Sequence, residues 1–340
     1  MQENITIKLI KTKKWSRIVK WIIIIGSILL LPWFFETSNF ANYLTYMTVR
    51  IMILGIFAMS YDLLFGYTGI LSLGHSLFHG ASAYTIAILM VQLDLNIQDA
   101  FLPITVALAV GIILGLLQGF LACRLGNTGI LLVTFATAET LFMLIMADPF
   151  GITNSENGIP DIPRETVLGL FNIKPEVNFY YFVLVLLIFS YFVLRAITCL
   201  PFGDTLKAIR ENPQRSKYLG YNIRQYRIAA FMISGFFASL AGCLTALHET
   251  SVGPEMFSVV ESSNPFLFTV LGGPGTLSGP LLGTAVMVTL NEIISGYTNY
   301  HTAINALIIV LLIMFLPGGI YSIPKLIRSK INQAKRNIDT

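Results

Sequence analysis

The sequence predicts an all-α fold, a polytopic transmembrane helical bundle of about ten spans, or about eight if the weaker segments do not cross. Apolar residues make up 55% of its 340 residues and charged residues only 12%. A soluble globule of this size would lack the polar surface to cover itself. The apolar residues also lie in long runs with almost no charge, and about 20 such residues form one helical span. The membrane is therefore the solvent that this composition requires.

The predicted spans follow directly from these runs. The first run, 19–35, could be a signal peptide. However, the basic segment before it is long and no small-residue cleavage site follows it, so we expect an uncleaved span. The eighth is too short for a regular span, and the third begins in a glycine-rich run. The cores lie near residues 19–35, 44–63, 69–90, 101–123, 129–147, 179–198, 227–248, 262–272, 279–295 and 302–317.

Charge sets the predicted orientation. Residues 1–20 hold six basic residues, 195–227 seven and 321–340 five, each with at most two acids, whereas the other connections are mainly acidic. Lys and Arg near span ends are retained in the cytoplasm. We therefore expect one transmembrane domain, 1–340, with a basic cytoplasmic N-terminus (1–20), a cytoplasmic loop (200–222) and a basic cytoplasmic tail (321–340). The net charge of +4 then reflects topology, not nucleic-acid binding.

Two glycine-rich segments interrupt corresponding spans. Gly66-Tyr67-Thr68-Gly69-Ile70-Leu71-Ser72 matches Gly272-Gly273-Pro274-Gly275-Thr276-Leu277-Ser278 at four of seven positions. Transporters use broken helices where freed backbone groups line a cavity. The alternative is that these glycines only let helices pack closely. The predicted substrate pathway comprises Gly66, Gly69, Ser72, Gly74, His75, Thr134, Thr137, Glu139, Gly272, Gly275 and Ser278.

Three of the polar residues have alternatives. His75 and His79 are four apart on one helix face, but without a third ligand nearby we favour packed or cavity-lining histidines over a metal site. Glu139 lies mid-way along an apolar run, where lipid contact would cost at least a few kcal/mol. We expect it to face protein or a water-filled path, with direct solute contact as the lesser alternative.

The cytoplasmic loop predicts two short helices. Asn212 is a suitable cap before Pro213, and Gly220 a suitable terminator. Periodicity alone leaves two interpretations open, an amphipathic helix on the lipid surface and a docking helix for a soluble ATPase.

Three segments carry a resemblance to a known family. Tyr61–His75, Phe202–Asn222 and Leu271–Gly283 together resemble the LivM-type permeases of branched-chain amino-acid ABC importers and their urea-importer relatives. The resemblance implies a multi-pass protein of the bacterial inner membrane that works with a second homologous permease, two cytoplasmic ATPases and an extracytoplasmic solute-binding protein. It implies branched-chain amino acids as solute, with urea or short amides as the alternative. It also implies that the loop docks on the ATPase, which singles out Phe202, Gly203, Leu206, Ala208, Arg210, Glu211 and Gly220.

Other classes fit less well. The chain has no phosphate-binding loop of the G-x-x-x-x-G-K-[ST] type, so we expect no bound cofactor and ATP use only by partner subunits. It has neither the Gly-x-Ser-x-Gly motif of a nucleophile elbow nor a His-Glu-x-x-His motif, so we do not expect this chain to be an enzyme. Cys123, Cys199 and Cys243 have no spacing typical of disulfides or metal sites. A self-contained secondary transporter or channel would need coupling charges, and the few intramembrane charges form no obvious relay.

Overall fold

The computed structural model describes residues 39–93, 99–169, 171–297, 303, 304, 307, 314 and 318–322. Within them the regular secondary structure is helical apart from one short ribbon of strands β1 (Thr166–Val167) and β2 (Phe171–Asn172), which pair antiparallel. The predicted all-α class is therefore confirmed, with this ribbon as a small addition. The helices are α1 (Asn39–Asp62), α2 (Ser76–Ala87), α3 (Phe101–Ala122), α4 (Asn127–Ala147), α5 (Glu176–Cys199), α6 (Pro201–Glu211), α7 (Pro213–Tyr218), α8 (Ile223–Glu249), α9 (Val259–Gly272) and α10 (Ser278–Ser295).

Five helical stretches among the described residues are long and apolar enough to cross a membrane. They match the second, fourth, fifth, sixth and seventh predicted spans. The first predicted span, 19–35, lies outside the described residues, as does most of the tenth, 302–317. The count of about ten spans stays a prediction. The five stretches are Asn42–Tyr67, Phe101–Ala122, Thr128–Ala147, Glu176–Cys199 and Ile223–Glu249.

Both predicted interruptions are present. After α1 the chain continues as a π-helical turn, Leu63–Tyr67, and α2 begins only at Ser76. The irregular backbone between them contains Gly69 with φ +73°. At the second interruption, α9 has only 14 residues and ends at Gly272. Residues 273–277 separate it from α10.

The bundle is built around α1 and α8, whose side chains are mostly buried, while α3, α4 and α5 lie at the periphery. A row of glycines brings α3 against α8. Gly111, Gly115 and Gly119 are four apart and share one face of α3. A Cβ at Gly115 would lie 2.7 Å from the Phe231 carbonyl oxygen and 2.9 Å from Met232 Cα. Small residues at such contacts allow close helix packing in membranes.

The segment between α4 and α5 is held by local hydrogen bonds. The carboxylate of Asp148 accepts from the backbone amides of Thr153, Ile152 and Asn154, at 2.9–3.0 Å. These donors, with Thr153 foremost, hold the pKa of the Asp148 carboxyl below its usual range. An antiparallel bridge between Ile159 and Val252 then fixes the segment to the turn after α8.

We predict that Gly115→Leu destabilises the bundle. The new side chain would meet backbone atoms of α8, which cannot move without separating α3 from α8. We therefore expect the free energy of unfolding to fall by about 1–3 kcal/mol. Thermal unfolding of the purified protein in detergent measures it. Gly126→Ala is the control, because nothing lies within 4 Å of a Cβ there. Equal melting temperatures for the two variants would contradict the proposed close packing.

Candidate translocation pathway and coupling site

The two interruptions meet inside the bundle through one carboxylate. Asp62, the last residue of α1, is fully buried. Its Oδ1 accepts from the amide of Gly275 at 2.7 Å and its Oδ2 from the amide of Leu277 at 3.0 Å. The first half of the chain thus satisfies backbone donors that the second interruption leaves without helical partners.

Glycines make this contact sterically feasible. A Cβ on Gly66 would collide with the Asp62 carboxylate and with the amide of Gly275. Gly275 itself has φ +78°, a left-handed conformation that favours glycine. Close packing therefore requires glycine at these positions, and it occurs together with the helix interruption.

Arg210 joins α6 to the same place. Its Nη1 donates to the carbonyl oxygen of Gly66. The π-helical turn makes that oxygen accessible, because the Ile70 amide donates to Leu64 rather than to Gly66. A Cβ on Gly69 would lie 2.8 Å from Arg210 Cγ, so glycine is again required for the approach. We call the set Arg210, Gly66, Asp62 and Gly275 the clasp.

Helix α6 is fixed to the bundle by its inner face. Leu206 is fully buried, and a Cβ on Gly203 would strike the Thr198 carbonyl. Phe202 stacks on Tyr226 with ring centres 5.6 Å apart. Gly203 and Leu206 therefore lie on the face of α6 that packs against the bundle. Ala208 is half-buried, and Glu211 is exposed on the outer side.

The second short helix forms as predicted. Asn212 caps α7 by accepting from the Arg215 amide at 2.9 Å, and Pro213 occupies the first turn. Gly220 follows with φ +91° and ends the element. The exposed side chains of Tyr218 and Leu219 project from this end of the bundle.

A second group of predicted pathway residues lies between the first interruption and α4. The Leu73 amide donates to Thr134 Oγ1 at 3.3 Å, and a Cβ on Gly74 would strike the Thr134 carbonyl. Ser72 is buried and accepts from the Gly74 amide through its hydroxyl. Thr137 accepts from the side-chain amide of Gln118 at 3.1 Å. These residues pack together but take no part in the clasp.

The two histidines lie in the helix packing, where each finds one hydroxyl partner. His75 Nε2 is 2.8 Å from Ser60 Oγ, and His79 Nε2 is 3.0 Å from Thr245 Oγ1. Both rings contact Phe57. They are buried, as the favoured interpretation of these residues expects.

The remaining predicted residues divide between the second interruption and α4. A Cβ on Gly272 would strike the Gly279 carbonyl, and the Ser278 hydroxyl donates to the Thr276 carbonyl at 3.3 Å. Glu139 is half-buried on α4. Its carboxylate makes no hydrogen bond or ion pair with any residue that the structure describes.

Sequence reasoning missed the central residue of the site. Asp62 is absent from the predicted pathway and docking residues. A usable signal is present, since Asp62 is an isolated carboxylate four residues before Gly66 at the end of an apolar span. Arg210 was predicted only for its role toward an ATPase, whereas its guanidinium points to the interruption.

Comparison with known proteins assigns the family. The family model described as "Branched-chain amino acid transport system / permease component" matches residues 43–317. The chain belongs to this family.

Among its relatives are two proteins named as LivM, the permease protein of the high-affinity branched-chain amino acid transport system. The one from Escherichia coli is 29% identical over 86% of this chain and 72% of its own length. The one from Salmonella typhimurium is 29% identical over 91% and 76%. A ribose import permease from Haemophilus influenzae is 26% identical over 82% and 85%. No solved structure matches the chain.

We predict that Asp62→Asn weakens the joint between the interruptions. Asparagine keeps one acceptor oxygen, but its NH₂ group would face a backbone amide at the second position. An unsatisfied buried group costs about 1–3 kcal/mol, so the melting temperature in detergent should fall.

Asp204→Asn is the matched control, because its exposed pair with Lys207 contributes about 0–1 kcal/mol. If Asp62→Asn melted at the wild-type temperature, the hydrogen bonds of Asp62 would be unimportant for the joint.

Proposed function

We propose that this chain is the membrane-spanning permease subunit of an ATP-driven importer for branched-chain amino acids. The family match across residues 43–317 carries the proposal. The proposed assembly contains a second homologous permease, two cytoplasmic ATPases and an extracytoplasmic binding protein. The sequence contains no phosphate-binding loop, which supports ATP hydrolysis by separate subunits.

The relatives support the choice of solute. The two LivM proteins named for branched-chain amino acids are each 29% identical to this chain, against 26% for the ribose permease. We therefore assign an amino acid rather than a sugar to this importer.

The second permease is supported by the outer face of α4. Glu139 and its neighbour Thr140 lie in the middle of that helix, and Thr140 is exposed. A carboxylate facing lipid there would cost at least a few kcal/mol. A water-filled pathway between two permeases would instead hydrate Glu139, and Glu139 would then contribute to its polar wall.

Coupling to the ATPases is supported by the position of α6. Its inner face is packed on the bundle, and Arg210 reaches the first interruption. Its outer face, with Lys207 and Glu211, is exposed for an ATPase to contact. Displacement of α6 would then act on Gly66 and, through Asp62, on the second interruption.

Reconstitution tests the proposed function. Vesicles that contain this chain, its partner permease, the ATPases and the binding protein should accumulate leucine only with ATP. Vesicles without the ATPases are the control and should not accumulate it. ATP-independent leucine accumulation by this chain alone would make it a secondary transporter.

We predict that Arg210→Ala uncouples ATP hydrolysis from transport while the ATPase stays bound. A hydrogen bond from a charged group contributes about 1.5–3 kcal/mol, so leucine moved per ATP should fall roughly tenfold. Co-purification and the ratio of transport to ATP hydrolysis measure the two effects.

Gln214→Ala is the neighbouring control, because Gln214 is exposed and lies outside both α6 and the clasp. It should leave the transport ratio close to wild type. A wild-type ratio in Arg210→Ala would remove the clasp from the coupling route.

A further inference from the structure

Three arginines gather at one end of the seam between α3 and α8. Arg124 follows α3, Arg224 lies in the first turn of α8, and Arg227 lies one turn further on. The Cζ atoms of Arg124 and Arg224 are each 4.6 Å from the ring centre of Phe120. Two guanidinium groups therefore share one aromatic ring, and their separation is at most twice that distance.

No acidic residue in the part of the chain that the structure describes pairs with these arginines. The sequence has no Asp or Glu between residues 100 and 138 or between 212 and 248. Among the described residues none of the three arginines has an ion-pair or hydrogen-bond partner, and Arg227 Nε is buried without one. Arg224 also lies at the positive end of the α8 dipole. A bound anion would relieve the repulsion among the arginines and the repulsion between Arg224 and the positive end of the helix dipole.

An apolar groove lies on the same seam. Its volume is about 400 Å³, and every residue that lines it is apolar. The lining comes from α3, α5 and α8 and includes Ile112, Val193 and Met232. Because it is open at the periphery of the bundle, it adjoins the region where lipid chains would lie.

The groove and the arginines lie on one side of the seam. Ile112, Leu116 and Phe120 are four apart and share a face of α3. Met232 is eight residues after Arg224 on α8, which is about 12 Å along a helix axis. Half of the hydrocarbon layer is about 15 Å thick. The groove thus lies within the length of one acyl chain from the arginines.

We propose that this seam binds an anionic phospholipid, with its phosphate between Arg124 and Arg224 and one acyl chain in the groove. Guanidinium groups bind phosphate oxygens through paired hydrogen bonds, and basic pockets at helix ends bind anionic headgroups. The exposed ring of Phe120 separates the charged part of the site from the apolar part. This site is separate from the clasp, since α3 packs on α2, α4 and α8.

Titration of the full-length protein with dioleoyl phosphatidylglycerol, followed by native mass spectrometry, tests the site. Arg124→Gln/Arg224→Gln should weaken binding of the first lipid by at least tenfold, at about fivefold for each arginine. Met232→Trp, which fills the groove and keeps the charges, should weaken it as well. Arg124→Lys/Arg224→Lys should retain most of the affinity. The control Arg215→Gln/Lys217→Gln removes two exposed charges of α7 and should stay within twofold of wild type.

Three results would overturn the proposal. An equal loss in the α7 control would mean that lipid is attracted by basic charge in general. Displacement of the lipid by inorganic phosphate, with no effect of Met232→Trp, would indicate a site for a soluble anion. Unchanged lipid binding in Arg124→Gln/Arg224→Gln, together with loss of the ATPase, would make the arginines a protein contact.

Discussion

The hydrogen bonds of the Asp62 carboxylate are the interaction on which the centre of the bundle depends. Asp62 is fully buried, so no water is present to satisfy a freed amide beside it, and each unsatisfied buried group costs about 1–3 kcal/mol. The turn between α9 and α10 presents two such amides, those of Gly275 and Leu277, and Leu277 has φ +56°. One carboxylate with two oxygens satisfies both. The interruption after α9 can therefore exist only because α1 ends in an acid at this point.

The first interruption has the complementary property, since it frees an acceptor. Its π-helical turn directs the Ile70 amide to Leu64, and the Gly66 carbonyl is left to receive the Arg210 side chain. A regular helix would use that carbonyl internally and offer nothing to α6. Breaking the two helices thus creates one donor turn and one acceptor turn. Arg210 joins α6 to the acceptor turn, and Asp62 joins the end of α1 to the donor turn.

Much of the fold could be predicted from the sequence, because membrane spans are determined by apolar run length. The interruption near Gly66 and the capped helix after Asn212 also followed from residue type, since glycine, proline and asparagine act through local backbone geometry. The clasp did not follow. Asp62 and Gly275 are 213 residues apart, and no period or spacing within one segment indicates that they meet. Leu206 is likewise a residue that the resemblance implies for ATPase docking, yet it is buried against the bundle, because an apolar helix face does not show which partner covers it.

The exposed faces at the periphery divide by composition, and the division indicates what covers each of them. The outer faces of α3 and α5 present side chains such as Leu117 and Phe189, which lipid chains can contact without loss. Their charges are confined to the helix end, where headgroups lie. The outer face of α4 places the half-buried Glu139 carboxylate mid-way between its ends, where lipid offers no hydrogen-bond partner, whereas the Thr140 hydroxyl donates to the Ala136 carbonyl. A lipid boundary on α3 and α5 and a protein or water boundary on α4 is therefore the arrangement in which the Glu139 carboxylate has a partner.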